Sequence, residues 1–162
     1  MDLVRQGYRM ADYLLVIDMQ EDYIGEGCPY PDPTLVQTVN EKILSYPSQR
    51  VFYVTNRFLW EWQSHKQIAK NLLKVSHCVY EKRLPSCFSN TDLKKQLSTA
   101  SSLEFVGVDG NGCVHFSVLS AIKLGYQVSC DLDCIGILNK AKFAKTLQKW
   151  KKREVEIKGE LS

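Results

Sequence analysis

No stretch of the 162-residue chain approaches the ~18 consecutive apolar residues of a membrane-spanning helix, and the opening Met1-Asp2-Leu3-Val4-Arg5 lacks the apolar run of a signal peptide. The expectation is a cytoplasmic protein with no membrane partner. Charge of one sign is also lacking: 21 Lys and Arg stand against 18 Asp and Glu, and a net +3 is too weak a bias to argue for nucleic acid. Histidine is scarce, with only His65, His77 and His115, and no two cysteines have C-x-x-C spacing. Cys130 and Cys134 lie four apart with no histidine near them, so a zinc site finds no support. The six cysteines, at 28, 78, 87, 113, 130 and 134, therefore read as free thiols, most of them small buried hydrophobes. Repeats, low-complexity tracts and Gly/Ser linkers are missing too, so residues 1–162 read as a single domain.

What is present is the composition of a packed protein, 44% hydrophobic and 24% charged. At this length about 70% of the unfolded chain's surface can be buried, so the core needs neither metal nor disulfide. Only the C-terminus is strongly basic. There Lys140, Lys142, Lys145, Lys149, Lys151, Lys152 and Arg153 surround Phe143, Ala144, Leu147 and Trp150 at helical spacing, the pattern of a solvated helix face over a core stripe.

Apolar runs bounded by polar or turn residues predict buried strands at 13–17, 51–55, 78–80, 103–108, 128–130 and, more weakly, 155–157. Their unbroken apolar character suits a sheet covered on both faces. Between them, Asp32-Pro33 opens a helix to about Tyr46, Thr91 can cap 92–97, 114–124 carries an apolar stripe that Gly125 stops, and Asn139 can cap the last helix. Alternating strands and helices predict a three-layer α/β/α, Rossmann-like fold around a parallel sheet of roughly six strands.

In such sheets ligands bind beyond the carboxyl ends of the strands. The first strand ends at Asp18-Met19-Gln20, the third at Glu81-Lys82, and the fourth runs through Gly107-Val108-Asp109-Gly110-Asn111-Gly112 into Cys113 at a helix start. An acid, a base and a thiol thus converge on one edge. Taken alone, Cys113 also suits a buried structural cysteine, Asp18 a capping carboxylate and Lys82 a surface lysine. Together they suit nucleophilic catalysis: a helix N-terminus and an ammonium favour thiolate over thiol, and a carboxylate can take the thiol proton. Other motifs fail. No Arg follows Cys113 at phosphatase spacing, Gly107-x-x-Gly110-x-Gly112 lacks the dinucleotide order, and no G-K-[ST] occurs. His115, two residues on along a helix, points away from Cys113.

These residues resemble the isochorismatase-like cysteine hydrolase superfamily, which includes nicotinamidases and N-carbamoylsarcosine amidases. Tyr13-Leu14-Leu15-Val16-Ile17-Asp18-Met19-Gln20 is similar to its D-x-Q strand, Val79 through Leu93 to its lysine motif, and Val106-Gly107-Val108-Asp109-Gly110-Asn111-Gly112-Cys113-Val114 to its nucleophile loop. The likeness runs from Tyr13 to about Leu147. It implies Asp18 as base, Lys82 as its electrostatic partner and Cys113 as nucleophile, with a cis peptide between Val108 and Asp109 and the amides of Asp109 and Cys113 as oxyanion hole. The family's loop usually has Thr or Ser where Gly110 stands. Nicotinamidases carry an Asp-x-His metal site after the second strand, whereas here Thr55 is followed by Asn56-Arg57-Phe58, with His65 only later. No metal and no cofactor are expected.

The implied activity is hydrolysis of a small amide or ureido C–N bond through a thioester. Gln20, Tyr23, Phe58 and Trp60 are the candidate substrate contacts, with Trp62 beside them. Ordinary core or interface packing is the competing role for the aromatics. The competing functions are a small-molecule or partner-binding protein of this fold without turnover, and a thiol-dependent redox or acyl-transfer protein. A short chain with aromatics in its strand-end loops also points to a homo-oligomer, a dimer or higher.

Overall fold

The computed structural model describes residues 10–62 and 64–161. Six parallel strands form one sheet: β1 (Tyr13–Ile17), β2 (Val51–Asn56), β3 (Val79–Lys82), β4 (Ser102–Val108), β5 (Gln127–Gly136) and β6 (Glu156–Lys158), in the order β3-β2-β1-β4-β5-β6. Between them run α1 (Pro33–Leu44), α2 (Thr91–Gln96), α3 (Cys113–Lys123) and α4 (Lys140–Lys152). Alternate residues of each central strand feed two apolar layers. Leu14, Val16, Val51 and Tyr53 pack with Val36, Val39 and Ile43 of α1, whereas Leu15, Ile17, Phe52 and Val54 pack with Leu93 of α2, Val118 of α3 and Phe143 and Trp150 of α4. The fold is thus the expected three-layer α/β sandwich. Among the described residues, no helix is long and apolar enough to cross a membrane.

The caps show why the helices start where they do. Asp32 accepts from the Thr34 amide at 2.9 Å, and Asn139 from that of Lys142 at 2.9 Å. The third differs from expectation: Asn90, not Thr91, caps α2, its Oδ1 taking the Leu93 amide at 2.9 Å. Helix α3 begins on Cys113 after Gly112, with no side-chain cap.

The largest departure is β5, expected to end at Cys130 but continuing to Gly136. Asp131 and Asp133 give that stretch the polarity of a turn; in the fold Asp131 pairs with Lys42 at 2.8 Å and Asp133 accepts from the Glu160 amide at 3.3 Å. A bulge lies within it, since Phe105 pairs with Cys130 but Gly107 with Ile135. The phase shift sends Cys130 and Cys134 into opposite apolar layers, so they share no site.

The order of strands reverses between β1 and β4, whose pairing runs from Tyr13–Leu103 to Ile17–Gly107. The carboxyl ends of β1 and β4 therefore flank a topological switch point. Gly107, at φ +117°, is required there, because a Cβ would collide with the Ile17 carbonyl.

Candidate active site

Four strand ends deliver polar groups to the switch point. Asp18 follows β1 in the left-handed region, at φ +54°, a conformation that costs a non-glycine residue about 1 kcal/mol and that Asp tolerates better than most. Its amide stays tied to β2, donating to the Val54 carbonyl at 2.9 Å. Lys82 ends β3 and is 1% exposed. Its ammonium lies 3.2 Å from Asp18 Oδ2, 3.1 Å from Asn56 Oδ1 and 3.2 Å from Cys113 Sγ. Asp18 Oδ1 is buried with no hydrogen-bond partner among the described residues. Asp18, Lys82 and Cys113 thus stand in one cluster, with a carboxylate lone pair unused.

Cys113 is half-buried at the first position of α3, at the end of a tightly bonded loop. The Val108–Asp109 peptide is cis. Asp109 anchors the rest of the loop. Its carboxylate accepts from the Tyr30 hydroxyl at 2.6 Å, the Leu138 amide at 2.9 Å and the Asn111 amide at 2.7 Å, joining the loop to the segments before α1 and α4. Burial and this carboxylate push the Tyr30 phenol well up, which keeps it a donor. The Gly110 amide donates to Gly136 at 2.9 Å, and those of Gly112 and Val114 donate to the Asp109 carbonyl at 3.0 and 3.2 Å. The N–H groups of Asp109 and Cys113 donate to no protein acceptor among the described residues. Gly110 also lacks room for a side chain: a Cβ would stand 2.8 Å from the Phe143 ring and 2.9 Å from Ile137.

The electrostatics correct one expectation. The helix start and Lys82 were expected to favour the Cys113 thiolate, yet its pKa is pushed up to about 12, first by burial and then by the Asp18 charge, with Lys82 offsetting only part. Asp18 is also raised above its ordinary 3.8, by burial, against the pull of Lys82. One ammonium in a dry site supports one anion, not two. Burial thus favours the Cys113 thiol beside the Asp18–Lys82 contact at 3.2 Å.

Of the candidate substrate contacts, Gln20 is differently placed. It is 0% exposed; its Oε1 accepts from the Asn56 amide at 2.8 Å and its Nε2 donates to the Asn56 carbonyl at 3.0 Å and to Asp22 at 2.9 Å. Every polar atom of its side chain is engaged within the protein, so Gln20 ties the segment after β1 to β2. Tyr23 reaches the cluster, its hydroxyl accepting from Asn56 Nδ2 at 3.2 Å. Phe58 and Trp60 stack at 4.6 Å between centroids in the loop after β2, where Trp60 is 71% and Trp62 92% exposed. A groove of about 1050 Å³ beside α1, lined by Glu21, Glu26 and Asp32 among others, includes none of the three clustered residues.

A family model described as the isochorismatase domain matches residues 12–157. The chain belongs to the isochorismatase family. Solved structures of similar fold include a pyrazinamidase of Pyrococcus horikoshii in complex with zinc, at TM-score 0.75 and 20% identity over 93% of this chain and 100% of that one. A nicotinamidase of Staphylococcus aureus matches at 0.71 and 21% over 92% and 100%, and an isochorismatase-like hydrolase of Alkaliphilus metalliredigens at 0.73 and 19% over 93% of each. No curated protein sequence matches.

The zinc in the first of these prompts a test of the isochorismatase-family residues present here. They do not fit a metal. After β2, Asn56 is engaged by Lys82 and Tyr23, and the Arg57 guanidinium is paired with Glu81 at 3.0 Å. Glu81 also holds His65 at 2.6 Å. A guanidinium repels a cation, and among the described residues no three His, Cys, Asp or Glu side chains come together as ligands.

Asn56 and the Tyr30–Asp109 bond escaped the sequence reading. Asn56 carries the same signal as Asp18, a polar residue ending an apolar strand, but its partner Lys82 reaches it only through the pairing of β2 with β3. Tyr30 lies far along the chain from Asp109 and gives no local signal.

Proposed function

We propose that the protein is a cysteine hydrolase that cleaves a small-molecule amide or ureido C–N bond through a thioester. The observation that carries the reading is the single ammonium within 3.2 Å of both Asp18 Oδ2 and Cys113 Sγ at the sheet's switch point. Family membership and the nicotinamidase and pyrazinamidase names of the structural neighbours support the same chemistry.

Asp18 takes the Cys113 proton as the thiolate attacks the substrate carbonyl, so the negative charge moves from carboxylate to sulfur while Lys82 stays close to both. The N–H groups of Asp109 and Cys113, without a protein acceptor among the described residues, receive the oxyanion. Asp18 then returns the proton to the leaving amine, giving the thioester and free amine. Water attacks the thioester as Asp18 takes its proton, the C–S bond breaks to release the carboxylic acid, and Asp18 returns the proton to the departing sulfur, regenerating thiol and carboxylate. The count of charges in the buried site never changes, which suits a place where a second anion is too costly to desolvate.

Tyr23 and the Phe58–Trp60 stack form the wall for a flat substrate. The exposure of Leu59, Trp60, Trp62 and Leu84 supports a second copy of the chain covering this mouth, a single domain per copy, with light scattering as the check. Six free thiols suit a reducing, cytoplasmic location. Ammonia release from a panel of small amides and ureides tests the activity, with mass spectrometry for an acyl adduct on Cys113. Equal turnover by Cys113→Ala refutes the thioester route.

A further inference from the structure

We propose that Asn56 is a positioning residue for this reaction: it takes the third proton of the Lys82 ammonium through a neutral oxygen and so holds the ammonium midway between Asp18 and Cys113. The proposal rests on the reading of Cys113 as nucleophile and Lys82 as its electrostatic partner.

An ammonium has three donors and no acceptor. All three find partners here at 3.1 to 3.2 Å, just after β1, at the end of β2 and at the start of α3, and the side chain is sealed from water. Two partners belong to the proposed chemistry, and Asn56 is the third. Its orientation is settled by the network, because only Oδ1 can face an ammonium, which leaves Nδ2 for the Tyr23 hydroxyl at 3.2 Å. Asn56 and Lys82 are direct partners in the β2–β3 register, so their side chains rise on the same face of the sheet. Behind Asn56, the Gln20 carboxamide clamps its N–H and carbonyl at 2.8 and 3.0 Å, fixing the backbone that aims the side chain.

Neutrality is the point of the residue. A carboxylate at position 56 would draw the ammonium from Asp18 and Cys113 and add a second anion beside the developing thiolate. An alanine would leave a buried proton without an acceptor and let the ammonium collapse onto Asp18, away from sulfur.

The test compares Asn56→Ala and the near-isosteric Asn56→Asp with wild type. The readouts are the pH profile of Cys113 alkylation by iodoacetamide and the kcat and KM on whichever amide the screen identifies. Both variants are expected to slow alkylation at fixed pH by about tenfold, with the profile displaced to higher pH, and to lower kcat with KM little changed. A residue that only supports the fold would lower thermal stability and leave the alkylation profile of the folded protein where it was. Unchanged profiles and kcat in Asn56→Asp, measured where circular dichroism shows it folded, overturn the proposal even if Asn56→Ala does not fold. Full turnover by Cys113→Ala would instead refute the thioester reading, and the alkylation arm would still report on Asn56.

Discussion

Replacing Lys82 by Met removes a buried ammonium while keeping much of its volume, and the structure sets the size and pH dependence of the outcome. The Asp18 carboxylate it faces lies 3.2 Å away, with side-chain exposures of 0% and 2%. Coulomb attraction at that distance is about 5 kcal/mol at an effective dielectric constant of about 20, and removing one partner of a buried pair typically costs about 3–5 kcal/mol. The sign with pH follows from Asp18. Its folded pKa is already raised above 3.8 by burial, and Lys82 is what pulls it back. A carboxyl that holds its proton more tightly when folded loses stability as pH rises through its ordinary value. Without Lys82 the folded pKa climbs further and that loss widens. Lys82→Met is therefore expected to cost about 3–5 kcal/mol near pH 8 and less as the pH falls, because protonation of Asp18 removes the charge that Lys82 offsets and leaves the wild-type ammonium itself a burden. Urea unfolding over a series of pH values measures this. Asp18→Asn combined with Lys82→Met should recover much of the loss, since it removes the stranded charge. A cost below about 1 kcal/mol near pH 8, or one that does not fall with pH, would show that the pair is not the charged, dry unit described.

Asp18→Asn should separate two readouts that usually move together. Turnover is lost with the base, while Cys113 alkylation near neutral pH becomes faster, because the carboxylate that helps hold the thiol up near 12 is gone; slower alkylation would contradict the charge arrangement. Cys113→Ser is expected to fold normally and to lose hydrolysis, as judged by thermal melting and ammonia release, because the sulfur contacts Lys82 and Asp18 whereas the loop itself is held by the Asp109 carboxylate and backbone bonds. Dialysis against a chelator should leave turnover unchanged, since Arg57 and its pairing to Glu81 occupy the segment after β2; activity lost and then restored by zinc would refute this.

Much of the scaffold is written in local pattern. The run Tyr13–Ile17 is apolar throughout and bounded by polar residues, and it is β1 to the residue; Asp32-Pro33 carries its own cap chemistry. β5 defeated the same reasoning because its second half hides two carboxylates that only Lys42 and the chain near Gly159 make acceptable in a strand. Asp131 and Asp133 are polar in the sequence and paired in the fold, and pairing across the chain leaves no periodicity to read.

The site divides in the same way. Which residue types stand at the strand ends is local, so Asp18, Lys82 and Cys113 were visible as candidates. What they do to one another depends on burial summed over two apolar layers and on how one ammonium is divided among its acceptors. A helix start and a nearby lysine argue for a thiolate, and at an exposed site that argument would stand. Here Cys113 shares the ammonium with a carboxylate that is itself nearly out of water, and desolvation works against every anion present. The thiol stays protonated until its proton has somewhere to go. In the mechanism proposed above, the buried Asp18 carboxylate is that acceptor, and Lys82 lies within reach of both groups. That is why a neutral oxygen from Asn56 on the ammonium's third side is of more use to this chemistry than another charge.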